Sequence, residues 1–141
     1  MAHEASLAQI AAAKGRFDRD FIVARVRAFQ ASYAAKDWKG RASLLSDDVI
    51  FEDTVGVPPP AIGRSAAEEY FKLIIDSGWD IEMTPERIVV MGDKAFVVTI
   101  GSWSFDGAPP SRLLLIHNFR FNAQGDICHV RIAYDEDCLI G

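Results

Sequence analysis

The sequence has no excess of basic residues and no long apolar run. It contains 15 Lys and Arg against 20 Asp and Glu, for a formal net charge of −5. Nucleic acids and anionic membranes select basic surfaces, so we expect neither as a partner. No apolar stretch approaches the roughly 20 residues of a membrane-spanning helix. The apolar patch from Leu7 to Ala13 lacks the preceding basic segment that is typical of a signal peptide.

Cysteine is scarce, and the two present are Cys128 and Cys138. They form no CxxC pair and have no spacing typical of a metal site, so we expect no metal. Cys128 falls in a strand pattern as a buried free thiol, which is compatible with a cytoplasmic location. The 141 residues contain no repeat or linker. They predict one domain over residues 1–141, with residues 1–17 as a leading helical extension.

The first third of the chain has the periodicity of helices. A short leading helix is predicted to end near Gly15. A longer helix is predicted over residues 18–35, where apolar residues recur at steps of three and four. A second short helix is predicted to include Trp38 and Leu45.

Ser65 and Glu68 have the spacing of a capping box, in which the two side chains satisfy free backbone N–H groups at a helix start. They predict a helix that begins at Ser65. Gly78 is a suitable residue to end it.

The second half of the chain alternates apolar and polar residues, as β-strands do. Segments rich in glycine, proline, asparagine and aspartate separate the alternating runs. Helices followed by a strand meander predict an α+β fold, and a curved sheet closed over by helices leaves a cavity inside. The strands predicted after the Ser65 helix are residues 81–84, 86–91, 94–105, 112–121 and 127–135.

One face of the strand 112–121 is apolar apart from a single histidine. Successive residues of a strand point to opposite faces, which makes His117 the one ionisable group on a face predicted to be internal. A buried histidine bonded to a backbone carbonyl is the structural alternative to a functional residue. In the last strand, Tyr134 is predicted to lie on the internal face. The internal set of strand 112–121 is Leu113, Leu115, His117, Phe119 and Phe121.

Two carboxylates, Glu52 and Asp53, follow the apolar residues 49–51, and a loop with two glycines and three prolines comes next. Because strand residues alternate, one carboxylate can face water while the other faces inward. An inward Asp53 would place a potential general base at the mouth of an apolar pocket. The structural alternative is an aspartate that caps the following turn.

Residues 46–63, the Ile62-Gly63-Arg64 helix entry and the segment 117–122 (His-Asn-Phe-Arg-Phe-Asn) resemble the ketosteroid isomerase branch of the nuclear transport factor 2-like (SnoaL-like) superfamily. The resemblance extends over about residues 20–135. It implies a cone, in which a curved mixed β-sheet wraps around a long N-terminal helix and encloses an apolar pocket. It also implies a homodimer through the outer sheet face, a hydrophobic small-molecule substrate and no cofactor.

The resemblance also implies site residues. Asp53 matches the catalytic base, because Phe51-Glu52-Asp53-Thr54 is similar to the segment that carries the base in these isomerases. His117 stands where they have a second acid, and Phe29 stands where they have a tyrosine. In the ketosteroid isomerases, the mechanism combines an aspartate base with a tyrosine and a protonated aspartic acid as oxygen donors.

These changes leave three functions open. The first is an isomerase-like enzyme that moves a proton alpha to a carbonyl in a steroid- or polyketide-like substrate, with Asp53 as base and His117 as oxyanion donor. The second is a cyclase, dehydratase or epoxide hydrolase that uses Asp53 and His117 as an acid–base pair. The third is a non-catalytic module that binds a hydrophobic ligand. The expected pocket residues are Phe29, Tyr33, Phe71, Trp103, Phe119 and Tyr134, of which Tyr33, Trp103 and Tyr134 are candidates for the missing donor.

Overall fold

The structure, a computed structural model, describes residues 2–53 and 59–141, with the side chains of all of these except Ala2 and Asp53. Most of the glycine and proline loop predicted after Asp53, residues 54–58, therefore lies outside the described residues. Helices dominate the first half of the chain and strands the second, so the predicted α+β class is confirmed. In chain order the elements are α1 (Ala2–Ala12), α2 (Arg19–Ala34), α3 (Trp38–Ser43), β1 (Leu45–Asp53), β2 (Ala61–Ile62), α4 (Arg64–Asp76), β3 (Trp79–Met91), β4 (Lys94–Phe105), β5 (Ser111–Phe121), β6 (Ile127–Ala133), a 3-10 helix (Glu136–Cys138) and β7 (Leu139–Ile140).

The strands form one mixed sheet in the order β2–β1–β6–β5–β4–β3, with β7 beside β5. β1 runs parallel to β6, and the other neighbouring strands are antiparallel. Register irregularities interrupt the pairing of β1, β3 and β5. Such irregularities bend and twist strands, and they suit the curved mixed sheet that the resemblance implies.

The core lies between α2 and the inner face of the sheet. Ile22 and Val26 of α2 are fully buried, and each large apolar side chain removed from water contributes roughly 1.5–3 kcal/mol. The predicted faces of β5 are confirmed, because Leu115 is buried while Ile116 and Arg120 are exposed. This alternation decides which side chains of the sheet face the helices.

Two predicted helix boundaries are wrong. Leu45 begins β1 instead of ending a helix, because its buried side chain fits the sheet core. Helix α4 begins at Arg64, with Gly63 as its N-cap at φ 91°, so Ser65 is a helical residue and not the cap. The positive φ is easily adopted only by glycine, and it sets the helix start before Ser65. Gly78, at φ 91° just beyond the end of α4, has the predicted terminating role.

The strands predicted at residues 81–84 and 86–91 are one continuous strand, β3. Its register against β4 shifts between Pro85 and Arg87. The irregularity lets β3 accommodate a proline, which cannot donate to the ladder, without ending the strand. Strand β6, which lies between β1 and β5, stops at Ala133, two residues before the predicted end.

Candidate functional site

A cavity of about 370 Å³ lies between α2, α4 and the inner face of the sheet. This volume is at the lower end of the range of roughly 300–1,000 Å³ that small-molecule sites occupy. The wall is mostly apolar, and tyrosine and tryptophan side chains add hydrogen-bonding tips to it. The wall residues are Tyr33, Phe51, Tyr70, Ile74, Trp79, Ile81, Met83, Trp103, Leu113, Leu115, Ile132 and Tyr134.

Three of the expected pocket residues, Tyr33, Trp103 and Tyr134, lie in this wall. The sequence did not lead us to Tyr70 or Ile132, which also line it. Both could have been found from their periodicity, because Tyr70 lies on the apolar face of a predicted helix and Ile132 on the apolar face of the last strand. The periodicity alone, however, does not show where the cavity lies between these two faces.

The other three expected pocket residues, Phe29, Phe71 and Phe119, are fully buried and lie behind the wall. The ring centroids are 6.0 Å apart for Phe29 and Phe71, and 5.6 Å apart for Phe29 and Phe119, in edge-to-face geometry. Phe71 also contacts the ring of the wall residue Tyr33 at 6.1 Å. These phenylalanines therefore support the wall from the core side.

Asp53 is the last residue of β1, and the strand register fixes its backbone position. It pairs with Ile132 on β6, and Ile132 pairs with His117 on β5. The three residues form one row across adjacent strands, with the Cα atoms of Asp53 and His117 about 10 Å apart at the usual strand spacing. The middle residue of the row, Ile132, lines the cavity. The side chain of Asp53 itself lies outside the described part of the structure.

Glu52, the other carboxylate of the pair, is engaged on the outer face of the sheet. Its carboxylate oxygens lie 2.6 Å from Arg131 Nε and 3.5 Å from His129 Nε2. Arg131 is exposed and precedes the cavity residue Ile132 on β6. The contacts of Glu52 therefore belong to the face opposite the cavity.

His117 is 1% exposed and does not belong to the cavity wall. Its Nδ1 lies 3.2 Å from the hydroxyl of Thr99, which accepts a 2.8 Å hydrogen bond from Gln30 Nε2. The ring stacks on Phe119 with centroids 5.7 Å apart. Burial, reinforced by the positive charge of Arg41, lowers the pKa of His117 from 6.5 to about 3. The imidazole is therefore neutral at pH 7, and the partner found for it among the described residues is the side-chain hydroxyl of Thr99.

Arg41, in α3, is a buried cation that no sequence pattern indicated. It is 1% exposed, and its Nη1 donates to the Phe29 carbonyl at 2.7 Å and lies 3.1 Å from Ser32 Oγ. The guanidinium carbon lies 3.7 Å from the ring centroids of both Phe29 and Tyr33. Desolvated cation–π contacts of this kind contribute about 2 kcal/mol each. The sequence alone does not distinguish a buried arginine in a six-residue helix from an arginine on the surface.

The charge of Arg41 is only partly compensated. No carboxylate among the described side chains pairs with it, and its Nε has no hydrogen-bond partner there. Burial lowers the pKa of Arg41 from its usual value to about 10, while Tyr33 and Tyr70 oppose this shift. Arg41 therefore stays cationic at neutral pH, beside two tyrosines of the cavity wall. An unpaired buried charge is costly.

Within residues 2–53 and 59–141, no cluster of three His, Cys, Asp or Glu side chains could hold a metal ion. No described helix is long and apolar enough to cross a membrane. A groove of about 720 Å³ separates α1 from the end of β3, and its described lining contains none of the predicted site residues.

The family model of the SnoaL-like domain matches residues 26–130. The chain therefore belongs to the SnoaL-like domain family, and the predicted membership is confirmed. The matched range contains Phe29, Asp53 and His117. Among curated proteins, no sequence matches this chain significantly.

Several solved structures share the fold at low sequence identity. RV0760c from Mycobacterium tuberculosis superposes with a TM-score of 0.76 at 20% identity, over 89% of this chain and 98% of that chain. It has also been solved in complex with estradiol-17beta-hemisuccinate. An LEH-like epoxide hydrolase from M. tuberculosis has a TM-score of 0.75 at 18% identity, over 85% of this chain and 86% of that chain. The Delta 5-3-ketosteroid isomerase from Mycobacterium sp. has a TM-score of 0.72 at 15% identity, over 85% of this chain and 97% of that chain.

Proposed function

We propose that this member of the SnoaL-like family is an enzyme that moves a proton alpha to a carbonyl group in a hydrophobic, steroid- or polyketide-like molecule. Asp53 is the general base: it removes the proton from carbon, which leaves an enolate, and returns it to another carbon. The observation that carries the proposal is the row of Asp53, Ile132 and His117, because its middle residue lines the cavity. The mostly apolar wall supports a hydrophobic substrate.

Strand alternation supports the choice of Asp53 over Glu52. Glu52 is engaged by Arg131 on the outer face, and successive strand residues point to opposite faces. The position of Asp53 is therefore the one on the cavity side. An apolar environment disfavours the charged form of a carboxylate and so strengthens it as a base.

The role of His117 as oxyanion donor stays a prediction. Its neutral ring supports a hydrogen-bond donor and disfavours the acid–base pair of a cyclase or hydrolase, which needs a protonatable histidine near neutral pH. A side chain that is 1% exposed behind the wall contacts a ligand only if wall residues move. The contact between His117 and Thr99 therefore supports a role in which His117 holds the Thr99 side chain in place more directly than a role in which His117 contacts the substrate.

A hydrophobic-ligand-binding module is the second candidate function. The mostly apolar wall favours it, and so does the complex of RV0760c with an estradiol derivative. Binding without turnover separates this candidate from the enzyme.

The test is exchange of the alpha protons of 2-tetralone, a bicyclic ketone, for deuterium in D₂O, followed by NMR. Asp53→Asn should slow the protein-catalysed exchange by about 100-fold or more, the usual contribution of a general base. Glu52→Gln is the matched control, because it alters the neighbouring carboxylate on the outer face, and its exchange rate should stay close to wild type. Undiminished exchange in Asp53→Asn would overturn the proposal. Tight ketone binding by a wild-type protein that catalyses no exchange would establish the binding module instead.

A further inference from the structure

The groove of about 720 Å³ between α1 and the end of β3 shares no lining residue with the cavity wall. Ser6 and Ile10 of α1 line one side of it and lie on one face of the helix, because they are four residues apart. Val89 and Met91 of β3 line the other side. The side chains of Ile10, Val89 and Met91 are 65%, 47% and 53% exposed. The groove is therefore an apolar surface that the described core leaves uncovered.

The segment that follows α1 holds the two sides of the groove together. Lys14 forms a β-bridge with Gly92, the residue after β3. The backbone N–H of Arg16 donates to Asp93 Oδ1 at 2.7 Å. A Cβ atom at Gly15 would lie 2.5 Å from the Gly92 carbonyl carbon, so the close approach of the two segments requires glycine there. These contacts fix the C-terminal end of α1 against the end of β3 and preform the groove.

Helix α1 gains little stability from packing on its own chain. It has 11 residues, and each side chain described in it, over residues 3–12, is exposed. Isolated helices shorter than about 12–15 residues are only marginally stable in water. A ligand that covers the helix face containing Ser6 and Ile10 would therefore stabilise α1 as well as fill the groove.

The part of the groove near the start of α2 has an excess of positive charge. Its lining includes three cations, Lys14, Arg16 and Arg19, against one carboxylate, Asp18. In the part of the chain that the structure describes, no carboxylate pairs with Lys14 or Arg19, and Arg16 Nη1 lies 3.8 Å from Asp93 Oδ2. The side chain of Asp18 makes no capping hydrogen bond to α2, and a helix start favours negative charge. Since the whole chain has a net charge of −5, this positive excess is local.

We propose that the groove binds a free medium-chain fatty acid, with the acyl chain between α1 and β3 and the carboxylate at Lys14 and Arg19. An apolar surface that ends at unpaired cations complements an amphipathic anion, and lysine and arginine form charge-assisted hydrogen bonds to a carboxylate. The α1 side of the groove runs from Ser6 to Ala13, about 10 Å at about 1.5 Å per residue, which suits a medium acyl chain. The net charge of −5 disfavours approach to an anionic membrane, so the free acid is the form that fits.

The test measures the binding of octanoate, decanoate and dodecanoate by calorimetry, below their micelle concentrations. Affinity should rise about twofold for each added methylene until the groove is filled, because full burial of a methylene contributes about fourfold and a groove buries it only in part. 1-Decanol, which has the same chain as decanoate without the charge, separates the apolar contribution from that of the carboxylate.

Two substitutions on α1 test the apolar side of the groove. Ile10→Gln changes an exposed side chain that lines the groove and should weaken decanoate binding about fivefold. Leu7→Gln is the matched control, because Leu7 is 52% exposed on the same helix and does not belong to the described lining. This variant should bind decanoate as tightly as wild type does.

Three further substitutions test the charge. Lys14→Gln and Arg19→Gln should each weaken decanoate binding about threefold, as expected for an exposed ion pair, and leave 1-decanol binding unchanged. Lys72→Gln makes the same charge change on α4, away from the described lining, and should alter neither affinity. These side chains are exposed, so we expect all the variants to fold.

Amide shifts in two-dimensional NMR locate the bound decanoate. They should occur at Gly92 and along α1, and not at Leu115 or Ile132 of the cavity wall. Shifts at Leu115 and Ile132 instead, equal losses of affinity in Ile10→Gln and Leu7→Gln, or no effect of Lys14→Gln and Arg19→Gln would each overturn the inference. Binding only to phosphatidylglycerol vesicles would identify a lipid surface as the occupant. A dimer that Ile10→Gln dissociates, in a protein that does not bind decanoate, would identify a second copy of the chain as the occupant, and either result would overturn the inference. Because the groove and the cavity share no lining residue, this test is independent of the proposed reaction.

Discussion

Replacing His117 by glutamine should make the protein less sensitive to acid. The folded state holds the pKa of His117 at about 3, below the ordinary value of 6.5. Between these values the unfolded chain binds a proton that the folded chain excludes. The stability that depends on a neutral His117 is therefore fully present above about pH 6.5 and is lost as the pH falls toward 3, at about 1.4 kcal/mol per pH unit. At pH 5 the loss amounts to about 2 kcal/mol.

The assay is urea unfolding of wild type and His117→Gln at pH 8 and pH 5, followed by tryptophan fluorescence. At pH 8 the imidazole is neutral in both states, so the difference between the proteins gives the packing cost of the substitution. On going to pH 5, that difference should change by about 2 kcal/mol in favour of the variant. A difference that is the same at both pH values would refute the account of His117 as a residue buried in its neutral form.

Two further predictions concern the wall support and the outer face. Phe71→Ala should lower the free energy of unfolding by about 3–5 kcal/mol, because the fully buried Phe71 ring contacts Phe29, Tyr33 and Phe51. Urea unfolding measures this change. A loss below about 1 kcal/mol would contradict the packing described for Phe71. Ile116, 40% exposed on the outer sheet face, belongs to the surface that the resemblance implies as a homodimer interface. Ile116→Arg should convert a dimer to monomer in light scattering, and an unaffected dimer would exclude this face as the interface.

The local sequence pattern was sufficient to predict those helices and strands whose structure depends mainly on their own residues. The three- and four-residue steps of α2 and the alternation of β4 and β5 predicted these elements to within one residue. It failed where tertiary contacts decide. Leu45 belongs to a strand because its side chain reaches the core. Gly63, not Ser65, caps α4, because the chain turns there through a backbone conformation that glycine adopts.

The candidate site was predictable in part for the same reason. The segment around Asp53 and the apolar face of β5 both have sequence patterns, and the register places them in one row. Arg41 belongs to no such sequence pattern, because its importance comes from burial between Phe29 and Tyr33 rather than from its neighbours in sequence. Which aromatic residues line the cavity and which support it likewise depends on the depth of the cavity.

The most direct test of Asp53 as the general base is a crystal structure of the protein with 2-tetralone bound. We expect the ketone in the cavity of about 370 Å³. The Asp53 carboxylate should then lie about 3–3.5 Å from a ring carbon next to the oxygen-bearing carbon, as a near-attack geometry requires. A ligand bound in the groove beside α1, or an Asp53 side chain on the outer face with Glu52, would contradict the account.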